Sequence, residues 1–393
     1  TRKGPKKRII GTLLSLFYII LLIVVIIYEL NTIGFLKKLG FKNYKTENYS
    51  VLVLKDSNYN SIKDIDKKTI GSLTLNTEGL KDARDKLEKK ISPKIKEYED
   101  VTSLKNDFVN KHIDAILIEE SILSILTEDD ASFKDIYKVI YDFSLDVETE
   151  DITEHVDITK DTFNVFVSGI DTYGTVSSVS RSDVNMVLTV NPKTHKILIT
   201  SIPRDYYVQL YGKNAKDKLT HAGIYGVDMS VKTLEQLLDI KINYYVKVNF
   251  TSVIKIVDTL GGVNVYSKYN FTSMDGYSYK AGYNYVDGKK ALSFVRERKS
   301  FNEGDRMRVE NQAAMIRALI DKATSPSIIT KYNNFLNTLS NSFVTNLDTD
   351  SITSFIKMQI AGMPKWEVEN YSLNGTDDYQ YTYSYRGSKL YVM

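Results

Sequence analysis

Between Phe163 and Asp205 the chain reads FNVFVSGIDTYGTVSSVSRSDVNMVLTVNPKTHKILITSIPRD. Three runs within it, FNVFVSGI, VNMVLTV and KILITSI, have the apolar content and short length of strands. The turn NPKTH (191–195) joins the second to the third. Taken as an antiparallel meander, the first strand ends at Asp171, the second begins just after Asp183, and the third ends at Pro203-Arg204. An up-down-up path then predicts Asp171, Asp183 and Arg204 at one end of the sheet. Two carboxylates and a guanidinium at one sheet end form a candidate metal and phosphate site. The plainer alternative is that Asp simply closes turns and strand ends, as it often does.

Further along, DMSVKTLEQLLDI (228–240) has the apolar spacing of an amphipathic helix, with Asp228 as its predicted cap. YYVKVNF reads as a strand and TSVIKIVDTLGG as a helix stopped by glycine. The stretch FVRERKSFNEGDRMRVENQ (294–312) then places four arginines and a lysine in nineteen residues. A charge run is by default a solvated face. Here Arg296 and Arg298 are two apart and a Gly-Asp turn precedes Arg306 and Arg308, which predicts a loop presenting guanidinium forks. Such forks suit phosphate. RMRVENQAAMIRALIDKA is the next helix, with Arg308 and Gln312 on one face near a terminus whose free N–H groups attract anions.

Toward the N-terminus, strand and helix patterns alternate from Tyr49 to about Leu145. This predicts an α/β layer with largely parallel strands, an accessory domain without assigned chemistry. The acidic stretch 146–161 reads as a linker. Ile9 to Tyr28 is twenty residues without a charge, enough to cross a bilayer core as a helix. Arg2, Lys3, Lys6, Lys7 and Arg8 precede it, which places the N-terminal side in the cytoplasm and the bulk of the chain on the extracellular face of the plasma membrane. The expected organisation is a basic cytoplasmic segment (1–8), a transmembrane helix (9–28), a juxtamembrane linker (29–45), an accessory domain (46–150) and a larger domain (151–393).

Composition narrows the chemistry. Among 393 residues the net charge is only +3, against a dedicated nucleic-acid binder. The chain has no cysteine, which removes disulfides, thiol catalysis and Cys-ligated metals. The four histidines make no HExxH spacing, and no GxSxG elbow, Walker loop or GxGxxG occurs. His221 reads as a satisfied structural histidine.

The motifs GID at the end of the first strand, RSD before the second, SIPRD, KLTHAGIYG, LGGV, DGKKALSFVRER and DRMRVENQ follow in this order. In that order the chain resembles the LytR-CpsA-Psr family, and most closely its CpsA-type capsule members in Gram-positive bacteria. The resemblance is dense from Phe163 to Thr324. It implies an α/β/α catalytic domain with a mixed central sheet. It also implies a membrane-anchored, Mg²⁺-dependent phosphotransferase that moves a glycopolymer, here a capsular polysaccharide, from a polyprenyl pyrophosphate carrier to peptidoglycan. By the same resemblance Asp171 and Asp183 match the metal-associated acids. Arg204, Arg296 and Arg298 match the pyrophosphate clamp, and Arg181, Arg308 and Gln312 its outer contacts. Catalysis is expected of Asp171, Asp183, Arg204, Arg296 and Arg298. Two departures stand out: Val227 follows Gly226 where the family often has a second glycine, and Asn311-Gln312 stands where it often has Arg-Gln.

The chemistry suits these residue types. Mg²⁺ takes oxygen ligands and keeps water, so one or two carboxylates plus phosphate oxygens suffice. Guanidiniums hold a dianionic pyrophosphate and stabilise the charge that develops during phosphoryl transfer. Asp171 or Asp183 is the expected proton acceptor. The strands VNMVLTV and KILITSI, apolar on both faces, either line a lipid chain or are ordinary core. The competing reading is a polyprenyl-pyrophosphate-binding regulator or pyrophosphatase of capsule synthesis.

Overall fold

The structure, a computed structural model, describes residues 44–74, 79–172, 176–326 and 342–393. The apolar run 9–28, the basic segment before it and residues 29–43 lie outside them. Among the described residues no helix is long and apolar enough to cross a membrane.

Strands β1 (Tyr44–Leu54), β2 (Thr69–Leu73), β3 (Lys94–Tyr98), β4 (Ala115–Glu119) and β5 (Tyr137–Glu148) form one sheet in the order β3-β2-β4-β1-β5. Helices α1 (Leu80–Glu88), α2 (Val101–Val109) and α3 (Glu120–Asp129) connect them. The expectation of largely parallel strands is corrected. β2 is parallel to β3 and β4, but β1 is antiparallel to both β4 and β5. The run of apolar residues in β1 buries both faces, Leu52 against one cluster and Val51 and Val53 against another. Such a run reveals burial but carries no information about strand direction. At its start β1 is also stitched to the larger layer. Thr46 N–H donates to Ser177 O at 3.0 Å, and Val179 N–H donates to Thr46 O at 2.8 Å.

The second sheet contains the predicted meander. β6 (Phe163–Ile170) pairs antiparallel with β7 (Ser182–Asn191), and β7 with β8 (Lys196–Ser201). The hairpin β9 (Tyr207–Gln209) and β10 (Lys216–Lys218) leads through α4 (Leu219–Ala222) and α5 (Val227–Leu238) to β11 (Tyr244–Asn249). After α6 (Phe250–Thr259), short strands β12 (Val263–Ser267), β13 (Phe271–Thr272), β14 (Ser278–Tyr279) and β15 (Gly282–Val286) precede α7 (Gly288–Arg296) and α8 (Asp305–Ala323). β16 (Val344–Thr345), α9 (Thr349–Gly362) and β17 (Glu367–Ser372) complete this layer, and β18 (Asp378–Gln380) and β19 (Leu390–Val392) end the chain. The sheet order is β16-β11-β6-β7-β8-β17, with β11 parallel to β6 and β17 parallel to β8. It is a mixed sheet between helices, as the resemblance implies.

Both faces of the meander are packed. Met186, Val190, Ile197 and Ile199 lie against Ala313 of α8 and against Trp366. Phe166, Val187 and Ile202 lie against Val231 and Leu234 of α5. These rows are ordinary core. A third cluster joins the two layers: Phe108, Ile122, Ile125 and Phe133 from the first share it with Leu210, Ile224, Tyr225 and Tyr385 from the second. Each large side chain buried this way contributes about 1.5–3 kcal/mol, so the cluster fixes how α3 sits against the larger layer.

Two local expectations are corrected. The cap of α5 is Gly226 at φ 121°, and Asp228 falls inside the first turn. Only glycine takes that backbone conformation without strain, so it sets the start of the helix. The segment 146–161 is anchored at two points rather than free throughout: 146–148 belong to β5, and Ile158 is buried in the core beneath the meander.

Candidate functional site

A cleft of about 560 Å³ opens where β6 ends, β7 begins and the α7–α8 loop passes over them. Asp171, Arg181, Asp183, Arg204, Arg296, Arg298, Arg308 and Gln312 all line it. The meander places the first acids as its directions require, and one irregularity refines the placement. The β6–β7 pairing steps from Gly169↔Val184 to Ile170↔Ser182, which leaves Asp183 as the extra residue of a bulge. A bulge re-aims a side chain at a strand end. Gly169 is required beside it, because a Cβ there would come within 2.7 Å of the Val184 side chain.

Asp183 Oδ1 accepts from Arg204 Nη1 at 2.8 Å and from Thr220 Oγ1 at 3.1 Å. Burial would raise its pKa, but Arg204, Arg181 and Arg308 outweigh that and hold it below the ordinary carboxylate value. Arg204 is itself surrounded: Nη2 reaches Glu128 at 3.1 Å and Nε lies 3.4 Å from Asp205. Lys218 donates to the same Asp205 at 3.0 Å. Thus the SIPRD and KLTH segments interlock through Asp205, Arg204, Thr220 and Asp183.

Asp171 is different. Its side chain is exposed to the cleft, and its pKa is raised, by desolvation between the walls first and by the Asp183 charge second. Arg296, Arg308 and Arg204 pull it the other way without prevailing.

The predicted Arg loop is corrected in its first half. Arg296 is the last residue of α7, and the loop begins at Glu297. Phe294 anchors that last turn, fully buried between Phe271 and Tyr279 at ring distances of 5.8 and 5.3 Å. Glu297 is also buried. It accepts from Met274 N–H at 2.7 Å and from Ser300 N–H at 3.0 Å, and despite burial these and other backbone N–H groups keep its pKa low. With Glu297 held inward, its neighbours Arg296 and Arg298 are exposed. Arg296 stacks on the Phe250 ring at 4.4 Å, which fixes one face of the guanidinium and leaves its edge open. Arg308 pairs with Asp305 at 2.6 Å, and its Nε is buried without a hydrogen-bond partner among the described residues. Arg308 lines the cleft, and a guanidinium with an unsatisfied N–H beside it suits an anion.

Gln312 lines the cleft, but its amide donates to Val295 O at 3.4 Å, while Asn311 is buried and donates to Phe294 O at 3.3 Å. Together they bind carbonyls at the end of α7, and so support Arg296 from behind. Asn311 therefore holds the scaffold where an arginine would add charge. His221 is structural as predicted: buried, with Nδ1 2.6 Å from Asp217, which also accepts from Ser384.

Sequence reasoning missed Glu128, Thr220 and Glu297. Thr220 lay inside a quoted motif and Glu297 between the two quoted arginines. Glu128 comes from α3 of the other layer, and no spacing signal connects it to the rest.

Asp171 and Asp183 are the carboxylates at the strand ends of the cleft, which Glu128, Asp275 and Glu297 also line. Among the described residues no group of three or more His, Asp or Glu gathers as a complete metal cage. The pair nevertheless fits Mg²⁺, which keeps water and shares phosphate oxygens, and a cation would offset both the desolvation and the Asp183 charge that raise Asp171.

The model of the LytR_cpsA_psr family matches residues 135–392, well over half the chain and the whole cleft except Ser124, Thr127, Glu128 and Lys134. The chain belongs to the LytR_cpsA_psr family. Similar proteins include the polyisoprenyl-teichoic acid–peptidoglycan teichoic acid transferase TagU of Bacillus subtilis (strain 168), 38% identical over 218 residues, which are 55% of this chain and 70% of that protein. TagU of Oceanobacillus iheyensis is 36% identical over 204 residues, 50% of this chain and 62% of that protein. Among solved structures, Bacillus subtilis TagV is 30% identical with a TM-score of 0.50, covering 60% of this chain and 90% of that one.

Proposed function

We propose that this LytR_cpsA_psr protein is a phosphotransferase moving a lipid-linked glycopolymer from polyprenyl pyrophosphate to peptidoglycan. The observation that carries the reading is one cleft lined by exposed Arg296 and Arg298, by Arg308, and by a pair of carboxylates of opposite pKa tendency. The TagU relatives, named as teichoic acid transferases, support it.

In this reading Arg296, Arg298 and Arg308 hold the pyrophosphate. Mg²⁺, when bound at Asp171 and Asp183, supplies charge neutralisation on the phosphate oxygens. Asp183, kept ionised by Arg204, does not take up protons. Asp171, open to the cleft, accepts the proton of the attacking sugar hydroxyl through the carboxylate oxygen that does not hold the cation. That oxygen forms a new bond to the polymer-side phosphorus, the bond from this phosphorus to the bridging oxygen breaks, and polyprenyl phosphate leaves with the electron pair. The apolar segment 9–28 serves as the membrane anchor, with the cleft on the extracellular face.

The test incubates purified full-length protein with a lipid-linked saccharide and Mg²⁺, with and without glycan chains. A covalent glycan–polymer product is expected. Release of free polymer at equal rates in both cases, with no linked product, identifies a pyrophosphatase instead. The polymer class is read in the same assay. The CpsA-type resemblance favours a capsular polysaccharide donor and the TagU relatives a teichoic acid, so both donors are supplied in competition.

A further inference from the structure

Helix α3 brings Glu128 out of the first layer into the cleft of the second. One carboxylate oxygen accepts from Arg204 Nη2 at 3.1 Å, and the other pairs with Arg181 Nη1. Both guanidiniums are largely buried, with 17% and 12% of their side chains exposed, while Glu128 keeps 41%. Burial lowers the basicity of Arg181, and although Asp183 opposes this, the like charge of Arg204 lowers it further. Two buried guanidiniums this close repel, and a carboxylate reaching both offsets that repulsion.

The position of Glu128 is set independently of the pair it serves. Ile122, Ile125 and Leu126 of α3 sit in the cluster shared with Leu210, Ile224 and Tyr385. The next residue, Asp129, accepts the Tyr385 hydroxyl. The carboxylate is therefore presented by a rigid element.

We infer that Glu128 is a positioning residue of the active centre. It braces Arg181 and Arg204 so that Arg204 holds Asp183, and it makes turnover depend on a helix of the first layer. Its activity readout rests on the transferase reading; its binding readout does not. The opposite possibility is that Glu128 blocks the cleft by occupying an anion's place, and it predicts effects of opposite sign.

The experiment uses the full chain in detergent with Glu128→Ala, Glu128→Gln and Glu128→Asp. Calorimetry with geranylgeranyl pyrophosphate and Mg²⁺ reads binding, and glycan-dependent transfer reads kcat and KM. Glu128→Ala is expected to weaken the probe about threefold or more and to lower kcat/KM about tenfold, the scale of one lost orienting interaction. Glu128→Asp, which keeps the charge on a shorter arm, should recover more than Glu128→Gln, which keeps the shape and loses the charge. Unchanged binding and kinetics in Glu128→Ala overturn the proposal. So does tighter probe binding with faster turnover, the signature of a blocking group, or a loss in every variant that merely follows loss of folded protein in thermal melts. If wild type binds the probe and transfers nothing, the transferase reading fails while the binding arm still decides the role of Glu128.

Discussion

Arg204 and Arg298 line the same cleft in opposite surroundings. Arg204 is nearly buried and each of its nitrogens faces a carboxylate, Asp183, Glu128 or Asp205. Arg298 is exposed on a loop that Glu297 pins from inside. One wall is a buried ion-pair network whose cation organises an acid; the other presents a cation to whatever enters. The same residue type therefore does two jobs, and substitution should separate them.

The largest effect is expected on the buried wall. Arg204→Ala leaves Asp183 as a buried carboxylate short of its closest cation, a change that costs about 3–5 kcal/mol when the pair is buried. Activity should fall by on the order of 10³, and the melting temperature should drop clearly by calorimetry. An unchanged melting temperature would merge the two walls into one. Next comes the open wall. Arg298→Lys keeps charge and loses the fork, so activity should fall about 10- to 100-fold, while thermal stability stays within about 0.5 kcal/mol. A large loss of stability here would assign Arg298 a structural ion pair instead.

A third cation shows what burial does when a carbonyl is the neighbour. Lys247 is buried on β11 and donates to Ser178 O at 2.7 Å, and burial first, then Lys45, lowers its pKa from 10.5 to about 7. The folded protein thus sheds this proton where the unfolded chain keeps it. Its contribution to stability is least favourable below pH 7 and improves as pH rises from about 7 to 10.5. Lys247→Met should raise stability at pH 7 by about 1–3 kcal/mol and flatten that rise, both read by denaturant titration across pH. The smallest effect concerns Asp171, whose pKa the Arg296 charge lowers. In Arg296→Gln the acid limb of residual activity should move up, and in Arg296→Lys it should stay in place. A limb that ignores the charge at 296 would remove Asp171 from the role of base.

The sequence was most legible where burial and direction are both encoded locally. Three short apolar runs joined by a tight turn specify a meander, and a meander alone brings Asp171, Asp183 and Arg204 to one end. The bulge that aims Asp183 was not legible, because it depends on Gly169 passing close to Val184 across the sheet. Nor was the direction of β1, which is set by its long ladder with β5 far along the chain. Gln312 reaches the cleft as the motif implies, and its bond to Val295, a support for the end of α7, was not legible in the motif. Glu128 marks the deeper limit, since a contact between layers is a property of packing and leaves no periodicity behind.

The backbone bridge between Thr46 and the 177–179 segment gives the molecule a mechanical character. This segment runs directly into Arg181, Ser182 and the bulge at Asp183, so β1 and the catalytic strand share a seam of two hydrogen bonds. A pull on β1 at Tyr44 is shared between its ladder with β5 and that seam, and through the seam it reaches the loop carrying the buried arginine.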